Sequence, residues 1–207
     1  DISKLAKKYD SEFPENIILM IDDSHGVGAF GETGRGTEEI TGASDSVDVL
    51  IGTLGKAFGV NGGYVVTSKA VTRYLREKAV TYIYSNPITI GETAACIKVV
   101  DFIESEKGRE RLKYVSKLTK RFEDGLKELG FEIIESEHPI VPLMIRDTQK
   151  TTEIVNYLKE NGVLTTGLNF PVVPDGDQTI RCQINGNHTE YDIDYVLEIL
   201  KRFKETH

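Results

Sequence analysis

The chain has 207 residues, 39% of them hydrophobic and 28% charged, with a formal net charge of −8. That balance is globular, long enough for one or two domains with a sizeable core, and without a long basic run it argues against a nucleic-acid partner. The two cysteines, Cys96 and Cys182, lie far apart and form no CxxC or Cys/His cluster, which argues against a disulfide framework and a structural metal site. The most apolar stretch, Ile17 to Ile21, is too short to span a bilayer, and no signal peptide is visible. The expectation is a cytoplasmic protein with no membrane partner.

The chain begins at Asp1 rather than Met. Ile2, Leu5 and Ala6 give a first helix an apolar stripe, with Lys7 and Lys8 on the other side, as in a chain entering the middle of an α/β domain. Residues 16–21 form a continuous apolar run, the pattern of a strand covered on both faces. The run ends at Asp22-Asp23-Ser24-His25-Gly26, and Gly28, Gly31, Gly34 and Gly36 follow. A second buried strand is expected over 47–53, ending at Leu54-Gly55-Lys56, and a third over 62–67. Helices are expected over 69–78 and 89–104. A long amphipathic helix over 109–129 is stopped by Gly130. Strands over 131–134 and 140–145, a helix over 151–161, strands over 163–166 and 179–184, and an amphipathic helix over 191–203 complete the chain. Residues 1–105 thus read as part of a parallel α/β domain, 106–130 as a bridging helix, and 131–207 as a small α+β domain.

Ligands of open α/β sheets bind beyond the carboxyl ends of strands, and both Asp22 and Lys56 lie just past such ends. A carboxylate and an imidazole three positions apart suit a metal, a base with its orienting partner, or an acid that pairs with a protonated heterocyclic nitrogen while His25 contacts the ring. A plain capped turn suits them equally. Lys56 stands among Gly55, Ala57, Phe58 and Gly59. An amine in apolar surroundings sheds its proton more readily and can form a Schiff base, and glycines let backbone and ligand approach closely. A solvated loop lysine is the ordinary alternative. A P-loop is ruled out by spacing and by Ala57 where a hydroxyl residue is required.

Taken together, strand-DDSH, strand-TLGK and Gly62-Gly63-Tyr64 resemble the alpha-oxoamine synthase family of fold-type-I pyridoxal-phosphate enzymes. The GETGRGT segment at 31–37, Tyr84-Ser85-Asn86-Pro87, Pro171-Val172-Val173-Pro174 and Ile180-Arg181-Cys182-Gln183 extend the likeness over essentially the whole chain. The resemblance implies a partial pyridoxal-phosphate-binding large domain followed by a small C-terminal domain, and about half of a complete site, with little turnover from these residues alone. It implies that Lys56 forms the Schiff base and later moves the amino-acid α-proton. Asp22 would keep the pyridinium nitrogen protonated, and His25 would contact the phenolic oxygen near the acyl thioester. Thr53 would donate to the cofactor phosphate, and Ser85 and Asn86 would reach the phosphate in a neighbouring subunit of a homodimer with shared sites. Arg181 would clamp the substrate carboxylate. The segments look nearest to glycine C-acetyltransferase, which joins glycine and acetyl-CoA, an acyl-CoA, to 2-amino-3-ketobutyrate or runs the reverse thiolysis. Readings as an 8-amino-7-oxononanoate synthase, an aminotransferase of the same fold, or a non-catalytic partner subunit also stand.

Overall fold

The computed structural model describes residues 2–207. The chain divides into two compact units, one ending at Leu112 and the next starting at Lys113.

The first unit opens with α1 (Ile2–Tyr9), then β1 (Met20–Asp22), α2 (Thr37–Thr41), β2 (Val49–Thr53), β3 (Gly63–Thr67), α3 (Lys69–Lys78), α4 (Val80–Ile83) and α5 (Ile90–Glu104). β1 and β2 are parallel, with Met20 opposite Val49 and Asp22 opposite Ile51. β3 returns antiparallel to β2, pairing Thr53 with Gly63, so the sheet is mixed and not the parallel one expected. The reason is the tight turn between them. Leu54 N donates to Gly62 O at 2.9 Å and Val60 N to Leu54 O at 2.8 Å, and a connection that short can only reverse the chain.

The strand expected over 16–21 is three residues long and uncovered. Ile18 is 65% and Met20 59% exposed. Among the described residues, β1 is an edge strand paired with β2 alone. The helices α1, α3, α4 and α5 bury no residue. α5 is apolar around much of its circumference, yet Ile90, Ile97 and Phe102 are exposed. Its start follows from sequence: Thr89 accepts from Glu92 N at 3.2 Å while Glu92 reaches back to Thr89 N at 2.9 Å, a capping box.

The long helix α6 (Glu106–Glu128) contains the division between the units. Gly130, at φ +72°, ends it, and Phe131 N donates to Leu126 O at 2.9 Å. β4 (Glu132–Ile133), β5 (Ile140–Met144), α7 (Thr148–Glu160), β6 (Thr166–Leu168), β7 (Thr179–Gln183) and α8 (Glu190–Thr206) follow. The four strands form an antiparallel sheet in the order β4-β5-β7-β6. α7 begins three residues before the periodic pattern suggests, because Asp147 caps it by accepting from Lys150 N at 2.6 Å.

The second unit carries the dense core. Leu118, Phe122 and Leu126 of α6 pack with Val141 and Leu143 of β5, Ile180 of β7, Ile154 and Leu158 of α7, and Ile199, Leu200 and Phe203 of α8. Alternate residues of β5 point inward, as the pleat requires, so Val141 and Leu143 are fully buried while their neighbours are not. Truncating Leu143 to alanine is expected to destabilise this unit by about 2–5 kcal/mol, measured by denaturant unfolding. Among the described residues, no helix is long and apolar enough to cross a membrane.

Candidate active site

The site is built at one edge of the first unit's sheet. β1 and β2 run parallel, with Asp22 opposite Ile51 and β2 running on to Thr53, so the segments that follow Asp22 and Thr53 leave from the same end of the sheet. Asp22 ends β1, and His25 follows on a turn in which Gly26 N and Val27 N both donate to Asp23 O, at 2.9 and 3.1 Å. Lys56 sits on the 54–62 turn beyond β2. The result is a contact between residues far apart in sequence: Lys56 Nζ lies 3.4 Å from His25 Nδ1.

Asp22 is the third member. Its Oδ1 accepts from Ser24 N at 3.0 Å. Hydrogen bonds from Ser24, the hydroxyl first and the amide next, hold the Asp22 carboxyl below the usual aspartate range; burial opposes them, and the nearby charges of Lys56 and His25 add smaller lowering effects. The carboxylate is therefore charged throughout the neutral range. All three side chains are exposed. Lys56 is thus not enclosed by apolar groups as its neighbours in sequence suggest, because the turn carries it past the edge of the sheet. Among the described residues, no group of three or more His, Cys, Asp or Glu side chains could hold a metal ion.

The other sequence-derived candidates are placed as follows. Thr53 is at the same edge, its hydroxyl donating to Gly62 O and accepting from Gly55 N, both at 3.2 Å. Ser85 and Asn86 lie on the exposed connector between α4 and α5. That connector passes the same turn, since a Cβ on Gly62 would overlap the Ile88 side chain. Arg181 belongs to the second unit, on β7 between Pro142 of β5 and Thr166 of β6, and is half-buried. The structure therefore brings Asp22, His25, Thr53 and Lys56 to one edge, with the Ser85 connector on its flank.

Sequence reading passed over Asp23. Asp23 directly follows β1 and is buried, 5% exposed, beneath the glycine-rich segment, while Asp22 is exposed. Asp23 Oδ2 accepts from Thr37 N at 2.8 Å and Oδ1 from the Thr37 hydroxyl at 2.6 Å. The doubled aspartate was the available signal. The glycines around it are required by contact. A Cβ on Gly26 or Gly36 would overlap the Asp23 carboxylate, and on Gly36 it would also sit 2.7 Å from the Gly26 carbonyl carbon. Gly36 adopts φ 74°, ψ −142°, a region open to glycine alone. Gly36→Ala is expected to cost at least about 1–3 kcal/mol from backbone strain, read as a lower thermal midpoint of the first unit.

The aminotransferase class I and II family model matches residues 4–200. The chain is 38% identical over 198 residues to 8-amino-7-oxononanoate synthase of Thermosipho melanesiensis, covering 96% of this chain and 49% of that protein. It is 35% identical over 202 residues to 2-amino-3-ketobutyrate coenzyme A ligase of Escherichia coli, covering 97% and 49%. In fold it matches a serine palmitoyltransferase from S. paucimobilis with bound PLP at a TM-score of 0.87 and 24% identity, over 99% of this chain and 50% of that one. The chain spans about half the length of the curated relatives it matches. Its α/β architecture is part of the fold-type-I transferase fold, and the chain belongs to the aminotransferase class I and II family, among the alpha-oxoamine synthases.

Proposed function

We propose that this chain forms part of a pyridoxal-phosphate-dependent acyltransferase that joins an amino acid to an acyl thioester, with glycine and acetyl-CoA as the first reading and thiolysis as its reverse. One observation carries it: an amine, an imidazole and a charged carboxylate gathered at one strand edge, with Lys56 Nζ 3.4 Å from His25 Nδ1, in a member of this family. That donor set fits the cofactor. A primary amine suits its aldehyde carbon, a carboxylate charged at neutral pH suits a pyridinium nitrogen, and an imidazole suits a phenolic oxygen. When bound, the cofactor supplies an electron sink for negative charge on the amino acid's α-carbon.

Each residue then has one task. Lys56 would hold the cofactor through its amine and would serve as the group that moves the α-proton. Asp22 keeps the ring nitrogen protonated. His25 donates toward the phenolic oxygen and the thioester carbonyl. Thr53, Ser85 and Asn86 bind phosphate, the last two toward a second copy in a homodimer. Arg181 takes the substrate carboxylate with its planar fork.

A second reading is favoured by the relatives, most of which are 8-amino-7-oxononanoate synthases. The skeleton of that product, an aminoethyl group on a seven-carbon acyl chain ending in a carboxylate, implies alanine, its carboxyl lost as carbon dioxide, and a seven-carbon dicarboxylic thioester that releases CoA. The test is release of free CoA by the protein expressed from its complete gene. Acetyl-CoA consumed with glycine supports the first reading. Consumption only of the seven-carbon thioester with alanine supports the second. Transamination of glycine to glyoxylate without CoA release contradicts both.

A further inference from the structure

We infer that Asp23 is a positioning residue for this site, whose buried carboxylate clamps the glycine-rich segment onto the end of β1 and so sets where Asp22 and His25 stand. The inference rests on the proposed function for its catalytic meaning, but on the coordinates alone for its structure. Asp23 lies between the two site residues. Its N–H donates to Ile51 O at 2.9 Å, which ties it to β2, the strand that leads to Lys56. Its carbonyl accepts from Gly26 and Val27, and this turn brackets His25. Its side chain is buried where that of Asp22 is exposed, and takes both donors of Thr37, backbone and hydroxyl.

Thr37 is the first residue of α2, and the preceding Gly36 has no side chain with which to cap it. Asp23 therefore supplies the cap from fourteen residues upstream. The clamp has no slack. The backbones of Gly36 and Gly26 lie so close that a methyl group on either would meet the carboxylate. A second carboxylate, Glu39, fastens the same segment from its far side, accepting from Thr33 N at 2.9 Å and Arg35 N at 3.1 Å. Gly28 N donates to Gly34 O at 2.8 Å and closes the segment on itself. A burial of this kind is costly for a carboxylate unless its hydrogen bonds are made, so losing the Thr37 donors releases the turn that carries His25.

The test uses the complete-gene product with Asp23→Asn, Thr37→Val and Thr37→Ser. Asn keeps the volume but presents a donor where Thr37 donates. Val removes only the hydroxyl, and Ser restores it. Three readings are taken: hydrogen exchange of the Thr37 amide, the imidazole nitrogen shifts of His25, and labelling of Lys56 by pyridoxal phosphate after borohydride reduction. Asp23→Asn and Thr37→Val are expected to speed Thr37 exchange about tenfold or more, the factor for about 1.4 kcal/mol of lost protection. They are expected to move the His25 shifts and to lower Lys56 labelling by about the same factor, while Thr37→Ser behaves as the parent. Should Asp23→Asn fail to fold, Thr37→Val decides. Parent-like His25 shifts in a folded Thr37→Val or Asp23→Asn protein overturn the inference. If the parent itself is not labelled at Lys56, the proposed function fails instead, and the clamp is judged on the exchange and His25 readings alone.

Discussion

Lys56→Ala in the protein expressed from its complete gene is expected to lower turnover by at least about 10³-fold, the scale on which loss of a covalent nucleophile acts. Lys56 is carried by the 54–62 turn to the edge where β1 also ends, and its amine reaches 3.4 Å from His25 Nδ1. Nothing in the sheet depends on it, because its side chain is exposed and the turn is held by main-chain bonds of Leu54, Val60 and Gly62. The variant should therefore fold as the parent does and fail only in chemistry. Lys56→Arg separates charge from nucleophilicity: it keeps a cation beside His25 and Asp22 but cannot form the covalent link. Both variants are expected to lose turnover together. Activity retained by arginine alone would mean that Lys56 serves as a charge.

Asp22→Asn carries the second large effect, a fall in turnover of about 10²-fold, comparable to removing one charged or polar partner at a reacting centre. Asparagine has the same shape but no charge to hold a ring nitrogen protonated. The pH dependence follows from the direction of the Asp22 shift. Its carboxyl is held below the ordinary aspartate value by Ser24, Lys56 and His25. A depressed value means the contribution of the charged form is present above the unfolded aspartate value and is lost as pH falls through the folded one. Cofactor retention by the parent should therefore persist on acidification past the point where a free aspartate would be half-protonated. In Asp22→Asn that acid limb should vanish from a spectroscopic titration of the bound cofactor. An unchanged acid limb in the variant would assign it to another group.

Much of this was legible in the sequence, for identifiable reasons. Helix starts at Thr89 and Thr189 follow from capping boxes, in which two short side chains satisfy their own backbone within three residues. The ends of α6 and α7 are marked by Gly130 and Gly162, both at positive φ. Local chemistry fixes such features, and local chemistry is what a single sequence contains. Coverage of strands is not local. Residues 17–21 read as a buried strand from their apolarity, but burial is a property of the neighbours, and among the described residues β1 pairs with β2 alone. The direction of β3 depended on how tightly the Leu54–Gly62 turn closes, which composition alone does not state.

The site divides in the same way. Asp22, His25 and Lys56 stand out because each lies at or just past a strand end, where the parallel pairing of β1 and β2 brings them together. Asp23 was hidden because its work is done on a segment fourteen residues on. Thr53 stands at the same edge, where its hydroxyl bonds the turn that carries Lys56. Its two bonds, both 3.2 Å, leave the reorientation of that hydroxyl toward a phosphate as part of the proposal.

The most direct measurement is to incubate the complete-gene product with pyridoxal phosphate, reduce with borohydride, digest, and locate the added mass by peptide mapping. The expected result is a single phosphopyridoxyl adduct on Lys56, absent from Lys56→Ala. An adduct spread over surface lysines, or one that persists at another position in Lys56→Ala, would contradict the assignment of Lys56 as the cofactor lysine.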